Sequence, residues 1–161
     1  MENASAFAEA FFGGHMNSKL HPIVFYLLSF TWGLPFTLLG CIAALILVLM
    51  GYRPKKWGYC YYFELGKRWG GCDLGIFFLK DSRDSASLKS HEHGHAVQNC
   101  YLGFFMIPIV AIPSLIRSRY RDYLITHKKV DPKTLPPYDS IWFEGQATRL
   151  GNEIVEYIQT R

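Results

Sequence analysis

The chain has 161 residues, half of them hydrophobic, including twelve Phe, ten Tyr and four Trp. That length accommodates one compact domain and a membrane segment and excludes two full domains. The net charge of +4 comes from scattered Lys and Arg, with no Gly/Arg-rich tract and no aromatic-basic sheet motif, which excludes a nucleic-acid module; the basic excess suits an anionic lipid surface.

Residues 1–21 are small, polar and aromatic without a clear period, and read as an N-terminal leader. A basic start is missing and the apolar stretch begins late, so this is not a secretory signal. Residues 22–51 (PIVFYLLSFTWGLPFTLLGCIAALILVLMG) contain no charged side chain. They exceed the roughly 20 residues that cross a hydrocarbon core, and they predict a transmembrane anchor kinked at Gly33 and Pro35. Arg53, Lys55 and Lys56 follow at once. The positive-inside rule then predicts a single-pass protein, N-terminus outside and residues 52–161 cytoplasmic.

Residues 57–80 predict a β-hairpin, with strands at Tyr59–Leu65 and Cys72–Leu79 around a turn-like Gly66–Gly71. Facing strands make a Cys60–Cys72 disulfide conceivable, although spacing cannot show it; Cys41, inside the apolar run, reads as a small hydrophobe. Asp84 or Ser85 can cap a helix running through His91 to about Leu102, with Gly103 as its stop. Residues 101–116 (YLGFFMIPIVAIPSLI) are again uncharged but broken by Pro108 and Pro113. At 1.5 Å per residue they cover about 24 Å of a roughly 30 Å core, which predicts a re-entrant or interfacial segment. Arg117, Arg119 and Arg121 close it. A Lys- and Pro-rich loop over 127–138 leads to a last helix, capped by Asp139 or Ser140 and reaching about Ile158, with Phe143, Ala147, Leu150, Ile154 and Ile158 on one face.

His91-Glu92-His93-Gly94-His95 fits the pattern HExxH on a predicted helix. Residues i and i+4 share a helical face, so the imidazoles of His91 and His95 can reach one cation, zinc in the first instance. Glu92 is rotated away from both, within reach of a water on that cation but outside its ligand set, as a general base must be. His93 points about 160° from the midpoint of the other two, towards another element or solvent. A catalytic zinc takes three protein ligands. The downstream candidates are Asp122, His127, Asp131, Asp139, Glu144, Glu153 and Glu156, and Glu144 is best placed because small residues around it, Gly145, Ala147 and Gly151, admit a neighbouring helix. A shared cation also requires His91 and Glu144 to lie on one side of the membrane, so residues 101–116 cannot cross once.

His-Glu-x-x-His followed by Glu144-x-x-Ala147 on a second helix resembles the gluzincin metallopeptidases, nearest to their integral-membrane group. Residues 90–114 (SHEHGHAVQNCYLGFFMIPIVAIPS) with 138–151 are also similar to short bacterial membrane proteins carrying an HExGH helix. The resemblance spans roughly residues 57–155. It implies an α+β fold, a transmembrane helix followed by a small zincin-like domain, with one zinc per chain held by His91, His95 and Glu144. It further implies Glu92 as the base, Cys72–Leu79 as an edge strand that holds an extended peptide, a peptide or membrane-protein substrate, and a bacterial inner or cell membrane as the location. The membrane proteases usually carry Asp after the Ala, where this chain has Thr148. Donors to the developing oxyanion are Tyr120, Tyr123, His127 or Tyr138. The alternatives to a zinc peptidase are a non-catalytic zinc-stabilised membrane protein, an adaptor or subunit of a larger complex or homo-oligomer, and a metal-buffering accessory that uses the extra histidines.

Overall fold

A computed structural model describes residues 16–67, 69–83 and 85–160. Most of the leader (1–15) and Asp84, one of the two caps considered for the HExxH helix, lie outside the described residues. The elements are helices α1 (Pro22–Phe30) and α2 (Leu34–Leu49), strands β1 (Lys55–Trp57), β2 (Cys60–Glu64), β3 (Gly71–Leu74) and β4 (Phe77–Lys80), and helices α3 (Ala86–Leu102), α4 (Ile112–Thr126) and α5 (Trp142–Gln159). The fold is α+β, built on a small four-stranded sheet.

The apolar run is not one kinked helix. α1 and α2 meet at a bend of 91°, and among the described residues no single helix is long and apolar enough to cross a membrane. The cause is the position of the proline: Pro35 falls in the first turn of α2, where its missing N–H and fixed φ start a helix instead of bending one. At the break the Gly33 carbonyl accepts the first backbone bond of α2, from Thr37 N–H at 3.1 Å, and a second from the Asn99 side-chain amide of α3 at 3.2 Å. Along α2, Phe36, Thr37, Gly40, Ala44 and Leu47 are buried on one side, at helical spacing.

The single predicted hairpin proves to be two. Two-residue loops at Gly58-Tyr59 and Gly75-Ile76, each opened by a glycine of positive φ, join β1 to β2 and β3 to β4. β2 then pairs with β4 in parallel, Tyr61 opposite Phe77 through Glu64 opposite Lys80, which gives the order β1-β2-β4-β3. Cys72–Leu79 is therefore two strands, and only β3 lies at the edge. With β4 between β2 and β3, Cys60 and Cys72 do not face each other, and both are free thiols. Alternation along the strands supplies two apolar faces. Tyr62 and Phe78, stacked at 5.2 Å, belong to the main core with α3 and α5, whereas Phe63 packs on Ala44 and Leu47 of α2.

α3 begins as expected, with the Ser85 side chain accepting from Leu88 N–H, and ends at Gly103, whose φ of +53° suits glycine alone. The uncharged stretch after it is a broken helical path: a 3-10 turn at Gly103–Phe105, a π-helical turn at Ile107–Ala111, then α4. Pro113 sits in the first turn of α4, again at a tolerated position. Ala86–Phe105 and Ile107–Thr126 meet at 116°. α5 starts one or two residues later than expected, with Ile141 at its cap in place of Asp139 or Ser140 and no side-chain cap bond. It runs antiparallel to α3 in close backbone contact: a Cβ on Gly94 would run into the Ala147 carbonyl, and one on Gly151 into that of Ser90.

Candidate metal centre

That close approach assembles the site. His91 and His95 project from one face of α3, and Glu144 enters from the first turn of α5. One Glu144 carboxylate oxygen (Oε2) lies 3.0 Å from His91 Nε2 and 3.2 Å from His95 Nε2. One ligand atom from each of the three falls within 4.8 Å of the others, so the group could hold a metal ion. The two imidazoles stand edge-to-face at 4.7 Å.

The outer hydrogen bonds settle which ring nitrogen faces that point. The Gln98 amide donates to the Phe143 carbonyl and the Gln146 amide oxygen, both at 2.8 Å, so its own oxygen is the acceptor for His95 Nδ1, also at 2.8 Å. With a proton on Nδ1, the His95 Nε2 atom faces the carboxylate oxygen, where either a second ring proton or a shared cation can bridge the two. His91 Nδ1 lies 2.9 Å from the Thr148 hydroxyl, which leaves its Nε2 for the same point. Glu144 is fully buried, and its second oxygen has no hydrogen-bond partner among the described residues. Burial pushes the Glu144 carboxyl up, but bonds with His91 and His95 outweigh it and hold the group well below the usual carboxylate range. An ionised carboxylate and two imidazole nitrogens in one buried place are a donor set suited to zinc.

Glu92 is 4% exposed and lies off the ligand set, as the helical geometry requires. Burial raises its carboxyl to about 7, with the nearby Glu144 carboxylate adding to the rise and His91 opposing it. It rests against β3: a Cβ on Gly71 would collide with the Glu92 carboxylate, and the Asp73 backbone N–H bonds to it. The edge strand thus turns one side towards Glu92.

His93 is fully buried on the far side of α3, edge-on to the Phe25 and Tyr59 rings at 5.9 Å each. Neither of its nitrogens has a hydrogen-bond partner among the described residues, and burial lowers its pKa to about 3. It is a core side chain and not a ligand of this group. Of the oxyanion candidates only Tyr138 reaches the site, its ring 6.5 Å from that of His91. Its hydroxyl lies 3.2 Å from that of Ser114, and burial, then the Glu144 carboxylate, push its pKa up to about 12. Tyr120 and Tyr123 are exposed on α4, and His127 stacks on Tyr123 at 5.1 Å. Glu153 is engaged with Ser18 and Arg149, and Asp131 caps its own turn through Lys133 N–H.

Gln98 went unnoticed in the sequence, although its position three residues after His95 places it on the same face. Thr148, whose hydroxyl lies 2.9 Å from His91 Nδ1, holds that ring as an orienting acceptor would. No family model matches the chain, and neither a curated protein nor a solved structure matches it.

Proposed function

We propose that the chain is a membrane-held zinc metallopeptidase that cuts peptides or membrane-proximal protein segments. The observation that carries this reading is the convergence of His91, His95 and Glu144 on one point, with Glu92 placed off that point against an edge strand. A zinc ion held there supplies the Lewis acidity that amide hydrolysis needs. Gln98 and Thr148 fix the imidazoles so that their Nε2 atoms stay directed at the ligand point. The outer side of β3 can pair with an extended substrate and bring its scissile bond past Glu92. Glu92 then takes the proton of the attacking water and passes it to the leaving amine, and a carboxyl held near 7 suits both transfers at neutral pH. Tyr138 is the hydroxyl nearest the site for the developing oxyanion. Membrane attachment rests on the uncharged helices, whose outer faces expose large apolar side chains such as Ile23 (70%), Leu45 (61%) and Leu49 (78%).

One observation favours a non-catalytic zinc-stabilised protein instead: the base is almost closed off from solvent. A single experiment decides between the two. Glu92→Gln should retain one zinc per chain and lose at least 100-fold in turnover of a peptide library, in line with the effect of a general base. Equal turnover by both forms, or none by the native chain with its zinc in place, would falsify the peptidase reading.

A further inference from the structure

The two bent helix pairs share an apex. Trp32, at the bend between α1 and α2, donates its indole N–H to the Tyr101 carbonyl at 3.1 Å, at the end of α3. Its ring packs edge-on to Phe104 at 5.3 Å and to Phe105 at 6.4 Å, across the second bend. Gly103 makes room, since a Cβ there would strike the indole. Buried polar groups stitch the joint from behind, through Asn99 to the Gly33 carbonyl and the Thr37 hydroxyl. The outer surface is apolar: Trp32 is 39% exposed, Phe104 57% and Phe105 56%.

The chain also returns from each bend to the body it left. The Tyr26 hydroxyl in α1 donates to the Tyr59 carbonyl at 2.7 Å, although residue 59 lies beyond the end of the apolar run. Ser18, before the run, bonds Glu153 of α5. After the second bend, Arg117 donates to the Pro137 and Tyr138 carbonyls beside the metal centre. A crossing helix would carry Tyr26 and Tyr59 to opposite faces of a bilayer. The nine residues of α1 rise only about 14 Å, close to half of a roughly 30 Å core.

Resting on the membrane attachment proposed above, we propose that the protein is monotopic: the paired bends form an apolar wedge that enters one leaflet, leaving residues 16–21, the sheet and the metal centre on the same side. The partner is a lipid surface. The apolar faces carry no charge, backbone groups at the first break bond within the protein (Gly33 N–H to the Leu28 carbonyl at 2.8 Å, Thr37 N–H to the Gly33 carbonyl at 3.1 Å), and Arg53, Lys56 and Arg119 lie exposed at the flanks for anionic headgroups.

The test uses the full chain in sealed vesicles of either orientation, with Cys41 and Cys72 replaced by Ser and the buried Cys60 and Cys100 kept. Lys19→Cys and Lys56→Cys, at exposed positions before and after the apolar run, are labelled singly with an impermeant maleimide. Both should react from the same side, and the chain should stay in the membrane through alkaline carbonate washing. Reaction from opposite sides overturns the monotopic arrangement and leaves membrane attachment standing. Release into the wash as a monomer removes the attachment itself, and release as a dimer assigns the apolar face to a second copy. F104S/F105S, at positions too exposed to decide folding, should reduce flotation with phosphatidylcholine–phosphatidylglycerol vesicles by roughly tenfold or more. Unchanged flotation with same-side labelling rules out the wedge as the point of entry.

Discussion

Each imidazole of the centre is aimed by one neighbour, and the two neighbours differ in what they can replace. Gln98 holds His95 through an amide that is itself pinned by two further bonds, whereas Thr148 holds His91 through a single hydroxyl at 2.9 Å. Losing such an outer partner typically weakens metal binding 10–100-fold. Thr148→Ala should therefore raise the zinc dissociation constant by about 10–100-fold, and Thr148→Ser should restore most of it; competition against a chelating dye measures both. An equal loss in the Ser variant would assign the effect to the missing methyl group. A second residue-scale device lies away from the site. The Asp81 carboxylate, with no exposed surface, accepts from Arg83 Nε at 2.8 Å and from the backbone N–H groups of Gly70 and Arg83 at 3.0 Å. The bond from the Arg83 side chain, reinforced by those backbone groups and opposed by burial, holds this carboxyl well below the usual range. A depressed folded-state pKa stabilises above the unfolded value of about 3.9 and is lost as pH falls towards the folded one. Asp81→Asn should then cost about 1–3 kcal/mol at pH 7, and urea melts should show the gap narrowing below about pH 4.

At the scale of elements, the α3–α5 contact shows most directly how packing places the ligands. Glycine in a helix interior is ordinarily worse than alanine by about 1 kcal/mol, so propensity alone favours Gly151→Ala. Sterics point the other way and dominate, because the new Cβ would meet the Ser90 carbonyl, backbone that cannot swing aside. Gly151→Ala should lower the thermal midpoint and the zinc content together, while Asn152→Ala, at an exposed position on the same helix, should leave both in place. A stabilised Gly151→Ala carrying full zinc would mean that the helices have slack. The close approach was legible from Ala147 and Gly151, and so were α3, its Ser85 cap and its Gly103 stop, because caps and helical faces are local signals. The sheet order was not. The pairing of β2 with β4 joins segments whose own alternation is equally satisfied by an antiparallel hairpin, and only the bodies packed on each face decide. The kink at Gly33 and Pro35 was legible but its size was not: the 91° turn is held by Asn99, far along the chain, whose amide bonds the Gly33 carbonyl and the Thr37 hydroxyl.

For the whole molecule, the centre is also a clasp. His91 and His95 belong to the strand-packed half of the core and Glu144 to the C-terminal helix, so an ion bound by all three joins α3 to α5. The unfolded chain scatters these ligands and binds the ion far less well, which makes metal affinity a contribution to folding stability. At a free zinc concentration 100 times the dissociation constant the gain is about 2.7 kcal/mol. For a chain of this size that corresponds to a thermal midpoint about 5–10 °C higher than with chelator. Glu144→Gln keeps the shape, removes the charge and weakens the ligand. The expected pattern is a clear zinc-dependent shift in the native chain and almost none in Glu144→Gln. Glu92→Gln, outside the ligand set, should keep the full shift. Differential scanning calorimetry with and without chelator reads all three. Equal shifts in the native chain and in Glu144→Gln would place the ion elsewhere, and no shift in either would mean that the three side chains meet for packing alone.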